Sequence, residues 1–261
     1  MLWIIQKNLW SEPEYLDFVD ILNRSEIPHQ SVKVIPFSHD DPSYGMIPKV
    51  VYPGRKIAYG STTMMRYAIK EKWDPGCYYN EDFNYKSWYK AYGNNLLNHD
   101  AVVCKFKDVK TNLDEFFIRP CKDLKEFTGE LIAKERFEEW KDRVLNMDSE
   151  STLCGDTEVS YAPPKKIYKE YRFFIVDYNV CTYSLYRLNG ALVQNLPVEP
   201  EAVKFAQKMA DKWSPEKVFA LDVALTPDGY KVIEINCANG AGFYSCDISK
   251  LVQTIWSMEN N

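Results

Sequence analysis

The stretch VIEINCANGAGFY, Val232 to Tyr244, sets a carboxylate and a carboxamide on alternate positions of an apolar run that then breaks into small residues. Successive strand side chains point to opposite faces, so Glu234 and Asn236 share one face while Ile233 and Ile235 share the other. The preceding segment FALDVAL, Phe219 to Leu225, alternates in the same way and is joined to it by Thr226-Pro227-Asp228-Gly229. Proline suits the first central position of a type I turn and glycine the left-handed site that closes a short loop, so the two segments read as a hairpin. Pairing Thr226 with Tyr230 sets Asp222 opposite Glu234, with Asn236 on the diagonal. Facing carboxylates destabilise a ladder by up to about 1 kcal/mol, and a bound cation reverses that sign. Ala220 and Ala224 leave room on the acidic face, and Leu221, Val223 and Leu225 fill the core side. Oxygen donors with positions to spare suit magnesium carrying substrate phosphates better than zinc. The alternative is two acidic residues on a solvated sheet face.

A chain of 261 residues, 46% hydrophobic and 15% aromatic, suffices for one large domain or two small ones with a full core. Its 32 basic and 37 acidic residues give a formal charge of −5, which argues against a general nucleic-acid or membrane-surface binder. Anionic ligands must then meet local cations. The cysteines at 77, 104, 121, 154, 181, 237 and 246 form no C-x-x-C pair and are odd in number, so neither a disulfide framework nor a structural zinc site is expected. The N-terminus MLWIIQKNLW lacks a basic leader, and no run approaches about 18 apolar residues. A reducing cytoplasm is the expected compartment.

Residues 1 to 75 alternate short strands and helices. LWIIQ, SVKVIPF and PKVVYP read as strands and Glu14 to Arg24 as a helix. A further helix, capped by Ser61 or Thr62 and closed by Pro75-Gly76, completes a small α/β unit. Gly60-Ser61-Thr62 is either an ordinary cap or a phosphate site at a helix N-terminus. Residues 76 to 261 form the second unit. There Asp82 to Asn98 is helical, with Phe83, Trp88 and Tyr92 as packing residues, and EFFIRP (115 to 120) is a strand. A loop with lysines, Thr128 and Gly129 follows, then a helix around Phe137 to Leu145. LCGDTEVSYAPPKK (153 to 166) has the composition of a connector. YKEYRFFIVDYNVCTYSLYRLNG gives two strands about Asp177 to Asn179, and Pro200 opens a helix whose apolar face is Ala202, Ala206, Met209 and Trp213.

Arg119 at a strand end, Lys125 in the loop after it, and Arg172 and Arg187 on the middle hairpin are the cations placed to face the acidic hairpin across a cleft. Singly each reads as a surface charge; together they supply what a triphosphate requires. No G-x-x-x-x-G-K-[ST], H-R-D, D-F-G or G-x-G-x-x-G occurs, so P-loop, protein-kinase and dinucleotide-binding readings are weak. His29, His39 and His99 have no nucleophile partner of recognisable motif and read as surface residues.

The hairpin LDVALTPDGYKVIEIN resembles the metal-binding hairpin of the ATP-grasp superfamily. The series FFIRPCKDLKEFTG, KEYRFFIVD, SLYR and EINCANGAGFYSCD resembles an ATP-grasp family frequent in bacteriophage genomes, and YGSTTMMRYAIKEKWDPG resembles the end of that family's pre-ATP-grasp unit. The resemblance implies an α+β ATP-grasp fold, two lobes with nucleotide between antiparallel sheets, preceded by a small α/β unit. It implies ATP and magnesium, with Arg119 in place of the strand lysine that contacts phosphates and Lys125 as the phosphate-loop lysine. Arg172 and Arg187 fall at the γ-phosphate and acyl-phosphate end. Val159 to Ala162, with Ser160 and Tyr161, borders adenine, and Asp222, Glu234 and Asn236 hold the metal. Arginine stands where most ATP-grasp enzymes have lysine, the phosphate loop is poorer in glycine, and Lys105 is the candidate for a first phosphate lysine. The implied activity joins a small-molecule or peptide carboxylate to an amine through an acyl phosphate, in the host cytoplasm if the chain is phage-encoded. The rival reading is an ATP-binding module with little turnover that senses nucleotide or binds a host protein.

Overall fold

The computed structural model describes residues 1–9, 13–35, 45–122, 126–146 and 153–260. The first unit is a five-stranded sheet in the order β3-β2-β1-β4-β5, formed by β1 (Leu2–Gln6), β2 (His29–Val34), β3 (Met46–Ile47), β4 (Lys56–Tyr59) and β5 (Pro75–Gly76), with helices α1 (Pro13–Arg24) and α2 (Thr62–Lys70). β1 is parallel to both of its neighbours and buried along its whole length. An unbroken apolar run is what a strand covered on both faces requires. Trp3 and Ile5 enter one core, and Leu2 and Ile4 enter another.

Two expectations for this unit need correction. Pro48 to Pro53 is not a strand; the chain there is irregular and exposed at residues 51–54, because prolines at both ends supply no N–H to a ladder. α2 does not run to Pro75-Gly76. Its end is a Schellman motif in which the Trp73 N–H donates to the Ala68 carbonyl at 2.9 Å and the Lys72 N–H to that of Ile69 at 3.1 Å. Lys72, at φ 51°, holds the left-handed position usually given to glycine, and Trp73 packs edge-on against Tyr67. Pro75–Gly76 is instead a strand beside β4.

The next segment carries α3 (Tyr85–Tyr92), capped by Asn84, whose side chain accepts from the Ser87 N–H. A four-stranded sheet follows in the order β6-β9-β7-β8, built from β6 (Val102–Lys105), β7 (Glu115–Pro120), β8 (Glu130–Ala133) and β9 (Glu158–Ala162), with α4 (Lys134–Leu145) on one face. Phe116 and Ile118 of β7 join Phe106, Phe137 and Val159 in its core, and the alternate residues Phe117 and Arg119 point the other way. The expected connector is in fact β9, the strand between β6 and β7.

The last sheet is wholly antiparallel, in the order β12-β11-β10-β13-β14. Its strands are β10 (Lys169–Val176), β11 (Asn179–Leu188), β12 (Ala191–Leu196), β13 (Val218–Thr226) and β14 (Gly229–Cys237), accompanied by α5 (Pro200–Lys212) and α6 (Ile248–Asn260). One face packs on α3 and α5 through Tyr171, Phe173, Leu221, Val223, Trp88 and Met209. The opposite face changes character along β10. Phe174 and Val176 lie under the first unit and α6 with Trp3, Phe18 and Leu251, while Glu170 and Arg172 open into a cleft.

Candidate functional site

The hairpin forms, but not with the expected register. Thr226 pairs with Gly229, which takes φ 90°, and the ladder stays one residue off expectation as far as Val223–Val232. A bulge at Ile233 then restores the pairing, and Asp222 does face Glu234. The same bulge puts Ile233 beside Glu234 in the cleft instead of in the core. Ala220 offers no open space, for it is buried in the core beneath the first unit.

The two facing carboxylates are each met by an arginine. Arg172 lies directly across from Asp222 on β10, and its Nε and Nη2 donate to Asp222 Oδ1 and Oδ2 at 2.8 and 2.6 Å. Glu234 accepts from Arg119 Nη1 at 2.7 Å and from Asn236 Nδ2 at 2.9 Å. Uncompensated charge across the ladder, the expectation from the hairpin alone, is therefore replaced by a network of alternating sign. The Asp222 and Arg172 side chains are 2% and 7% exposed. Burial pushes the Asp222 carboxyl up to about 6 against the pull of the Arg172 guanidinium. The third Arg172 donor, Nη1, bonds the Gly242 carbonyl at 2.9 Å, and the guanidinium lies 4.6 Å from the centre of the Tyr244 ring. Tyr244 in turn stacks on Tyr186.

A cleft of about 530 Å³ opens between this sheet and the face of β7 that carries Arg119. Arg119, Arg172, Arg187, Asp222 and Glu234 all line it. Arg119 is fixed from below by Trp88, 4.9 Å from its guanidinium, so the tryptophan expected only to pack also carries a cation. Arg187 sits 3.7 Å from Glu170, and its Nε finds no hydrogen-bond partner among the described residues. Gly129 lies against β7 so closely that a Cβ there would come within 2.9 Å of Phe117. Lys125 lies outside the described residues. Ser160 and Tyr161 do not line the cleft: Ser160 is buried within β9, and the Tyr161 hydroxyl donates to the Lys110 carbonyl. That edge is formed a few residues on by Lys165 and Ile167. Lys105 is also absent from the cleft and pairs with Asp156 on the surface. Lys122, Lys165, Glu170 and Tyr186 were not singled out from sequence. Glu170 lies two residues before Arg172, so strand alternation could have found it; Tyr186 adjoins Arg187 and reaches the same cleft because β11 bulges there.

A second cavity of about 460 Å³ lies beyond the acidic hairpin, between the turn Gly60-Ser61-Thr62 and the loop Gly240 to Gly242. Arg172, Glu234 and Tyr244 line both cavities and so form the wall between them. As for a metal, no cluster of three or more His, Cys, Asp or Glu exists among the described residues. Asp222 and Glu234 face one another with Asn236 beside Glu234, its Nδ2 turned toward that carboxylate, and each carboxylate oxygen that accepts one bond retains a lone pair. The donor set fits a hard cation that takes its remaining ligands from phosphate and water.

A family model for an ATP-grasp domain, the third family of its clade, matches residues 27–255. The chain belongs to that family. Its fold is the ATP-grasp fold of mixed α and β elements in several sheets. D-alanine–D-alanine ligase from Bacillus anthracis superposes with a TM-score of 0.63 at 13% identity, covering 99% of this chain and 97% of that one. D-cycloserine synthetase DcsG does so at 0.61 and 9%, with 99% of each chain covered. The ATP-grasp ligase PsnB, complexed with a minimal precursor, gives 0.58 and 9%, over 100% and 99%. No curated protein is similar to this ATP-grasp chain in sequence. No helix among the described residues is long and apolar enough to cross a membrane.

Proposed function

We propose that this ATP-grasp chain is an ATP- and magnesium-dependent ligase that joins a carboxylate to an amine. The observation that carries the reading is the wall of Arg172, Glu234 and Tyr244 shared by two cavities, one rich in cations from both lobes and one lined by small residues. The cleft takes ATP, with its phosphates toward Arg119, Arg172 and Arg187, and the second cavity takes the acceptor carboxylate. Asp222, Glu234 and Asn236 are the residues that would hold magnesium, which supplies charge neutralisation on the β- and γ-phosphates. Phosphoryl transfer to the carboxylate gives an acyl phosphate and ADP, and attack by the amine on the acyl carbon releases phosphate. Arg172, at the wall, faces charge on the transferring group, and Arg119 on the opposite lobe holds the chain of phosphates in line. No side-chain nucleophile is required. Small-molecule and peptide carboxylates both suit the reading, as does a phage-encoded enzyme working in a reducing cytoplasm, where seven cysteines persist as thiols.

One observation favours the rival reading. All four carboxylate oxygens of Asp222 and Glu234 already accept from arginine or asparagine, a pattern also suited to a module that binds nucleotide and turns it over slowly. Product analysis separates the two. A ligase yields ADP and phosphate only when cell extract or a carboxylate–amine mixture is present, together with a product mass equal to a condensation. Nucleotide bound tightly with no product in any extract would leave the binding module.

Arg119→Ala removes a charge-assisted contact of roughly 1.5–3 kcal/mol and is expected to raise the Kd for Mg-ATP about ten-fold or more by calorimetry, with the fold retained. The same is expected of Lys125→Ala. Unchanged affinity in both variants moves the phosphates elsewhere.

A further inference from the structure

Arg172 is held from three sides, and one of those holds is the carboxylate that the proposed ligase also offers to a metal. When a cation takes a share of Asp222, the orientation of Arg172 falls mainly to the Gly242 carbonyl and the Tyr244 ring, the Tyr186 ring on β11 lying further off at 5.9 Å. The two nearer contacts belong to the loop that follows β14.

That loop is fastened elsewhere. Asn239 is 2% exposed and uses its side chain and its backbone to grip the first unit. Its Nδ2 donates to the Ala58 carbonyl at 2.6 Å, its Oδ1 accepts from the Tyr78 N–H at 2.8 Å, and its carbonyl accepts from the Gly60 N–H at 2.8 Å. Two residues on, the Ala241 carbonyl accepts from the Tyr59 hydroxyl at 2.5 Å. Between them, a Cβ at Gly240 would come within 2.9 Å of the Gly60 carbonyl oxygen, so the loop backbone lies flat against the β4–α2 turn. Tyr59 also stacks on Phe243 with ring centres 5.1 Å apart. Apart from the bond to Tyr78, each of these contacts joins residues of the first unit to the segment that ends at Tyr244.

We propose that Asn239 is a positioning residue for Arg172: by tying the loop Ala238 to Tyr244 to β4 and Tyr78, it keeps the Gly242 carbonyl and the Tyr244 ring on the guanidinium. The first unit thereby fixes an arginine that none of its own side chains needs to touch. The inference rests on the ligase reading in one respect, that Arg172 meets the terminal phosphate of ATP.

The test is the preference for a triphosphate over a diphosphate. Wild type, Asn239→Ala and Tyr59→Phe are titrated by calorimetry with Mg-ADP and with a magnesium-loaded, non-hydrolysable ATP analogue. Wild type is expected to favour the triphosphate. Asn239→Ala should lose that preference by about ten-fold and Tyr59→Phe, which removes only the hydroxyl on the Ala241 carbonyl, by about three-fold, while both bind Mg-ADP within two-fold of wild type. Tyr59→Phe carries the test alone if Asn239→Ala does not fold. A preference unchanged in the variants, or equal weakening toward both nucleotides, overturns the positioning role. Equal affinity of wild type for both nucleotides removes Arg172 from the terminal phosphate and the inference with it, whereas binding of neither defeats the ATP reading itself.

Discussion

Asp222→Asn is expected to lower stability by about 3–5 kcal/mol, the range for breaking a buried ion pair by removing one partner. For a chain of this size that is a fall of roughly 6–20 °C in melting temperature. The reason lies in which partner remains. Arg172 is as buried as Asp222, and a guanidinium cannot shed its proton to escape an apolar site. The reciprocal change is milder. In Arg172→Met the abandoned carboxyl can become neutral, and without the guanidinium its folded-state pKa lies higher still than in the wild type. A carboxyl raised in the folded state and near 3.9 in the unfolded state is bound by its proton more tightly when folded. Stability is therefore fullest below about pH 4 and is lost as pH rises through the folded value. Thermal melts at pH 5 and pH 8 should show Arg172→Met close to wild type at the lower pH and well below it at the higher, with Asp222→Asn, which cannot titrate at this position, as the reference. Matching deficits for the two variants at both values would mean that the pair is not the buried, coupled unit its geometry indicates.

Glu234→Gln is expected to abolish most of the thermal response to Mg-ATP. A ligand at a hundred-fold excess over Kd stabilises the native state by about 2.7 kcal/mol, roughly 5–11 °C here. The variant keeps its shape and one oxygen acceptor but loses the charge a cation requires. The metal-free protein should not gain stability from the change, because Arg119 and Asn236 already satisfy the wild-type carboxylate; a slight loss is the expected direction. Equal upward shifts in wild type and variant on adding Mg-ATP would show that Glu234 holds no metal.

The hairpin was legible because its information is local: alternation along two short strands and a turn tetrapeptide suffice to bring Asp222 to Glu234. Even there the result survived a wrong register, since the Ile233 bulge compensated for the turn. Arg119 and Arg172 could be named as cations facing the hairpin, but their direct pairing with its carboxylates was not legible. Arg172 reaches Asp222 because β10, 50 residues earlier, pairs with β13 in one particular register, and Arg119 reaches Glu234 because two lobes close over a cleft. Neither follows from spacing along the chain. The end of α2 was misplaced because Lys72 holds a conformation whose usual sequence mark is glycine. β9 was passed over because two prolines and a glycine nearby gave its segment the composition of a loop. Lys165 carries no motif at all; it enters the cleft by following β9 out of the sheet, 2.5 Å from Asp100.

The first unit and the cleft occupy the same face of one sheet. Phe174, Val218 and Ala220 at one end are roofed by Trp3, Phe18 and Phe243, while Arg172 and Asp222, one step further along the same strands, form the floor of the cleft. The apolar roof and the cleft thus share one sheet face, and a chain begun near residue 76 would uncover a greasy shelf beside the cleft.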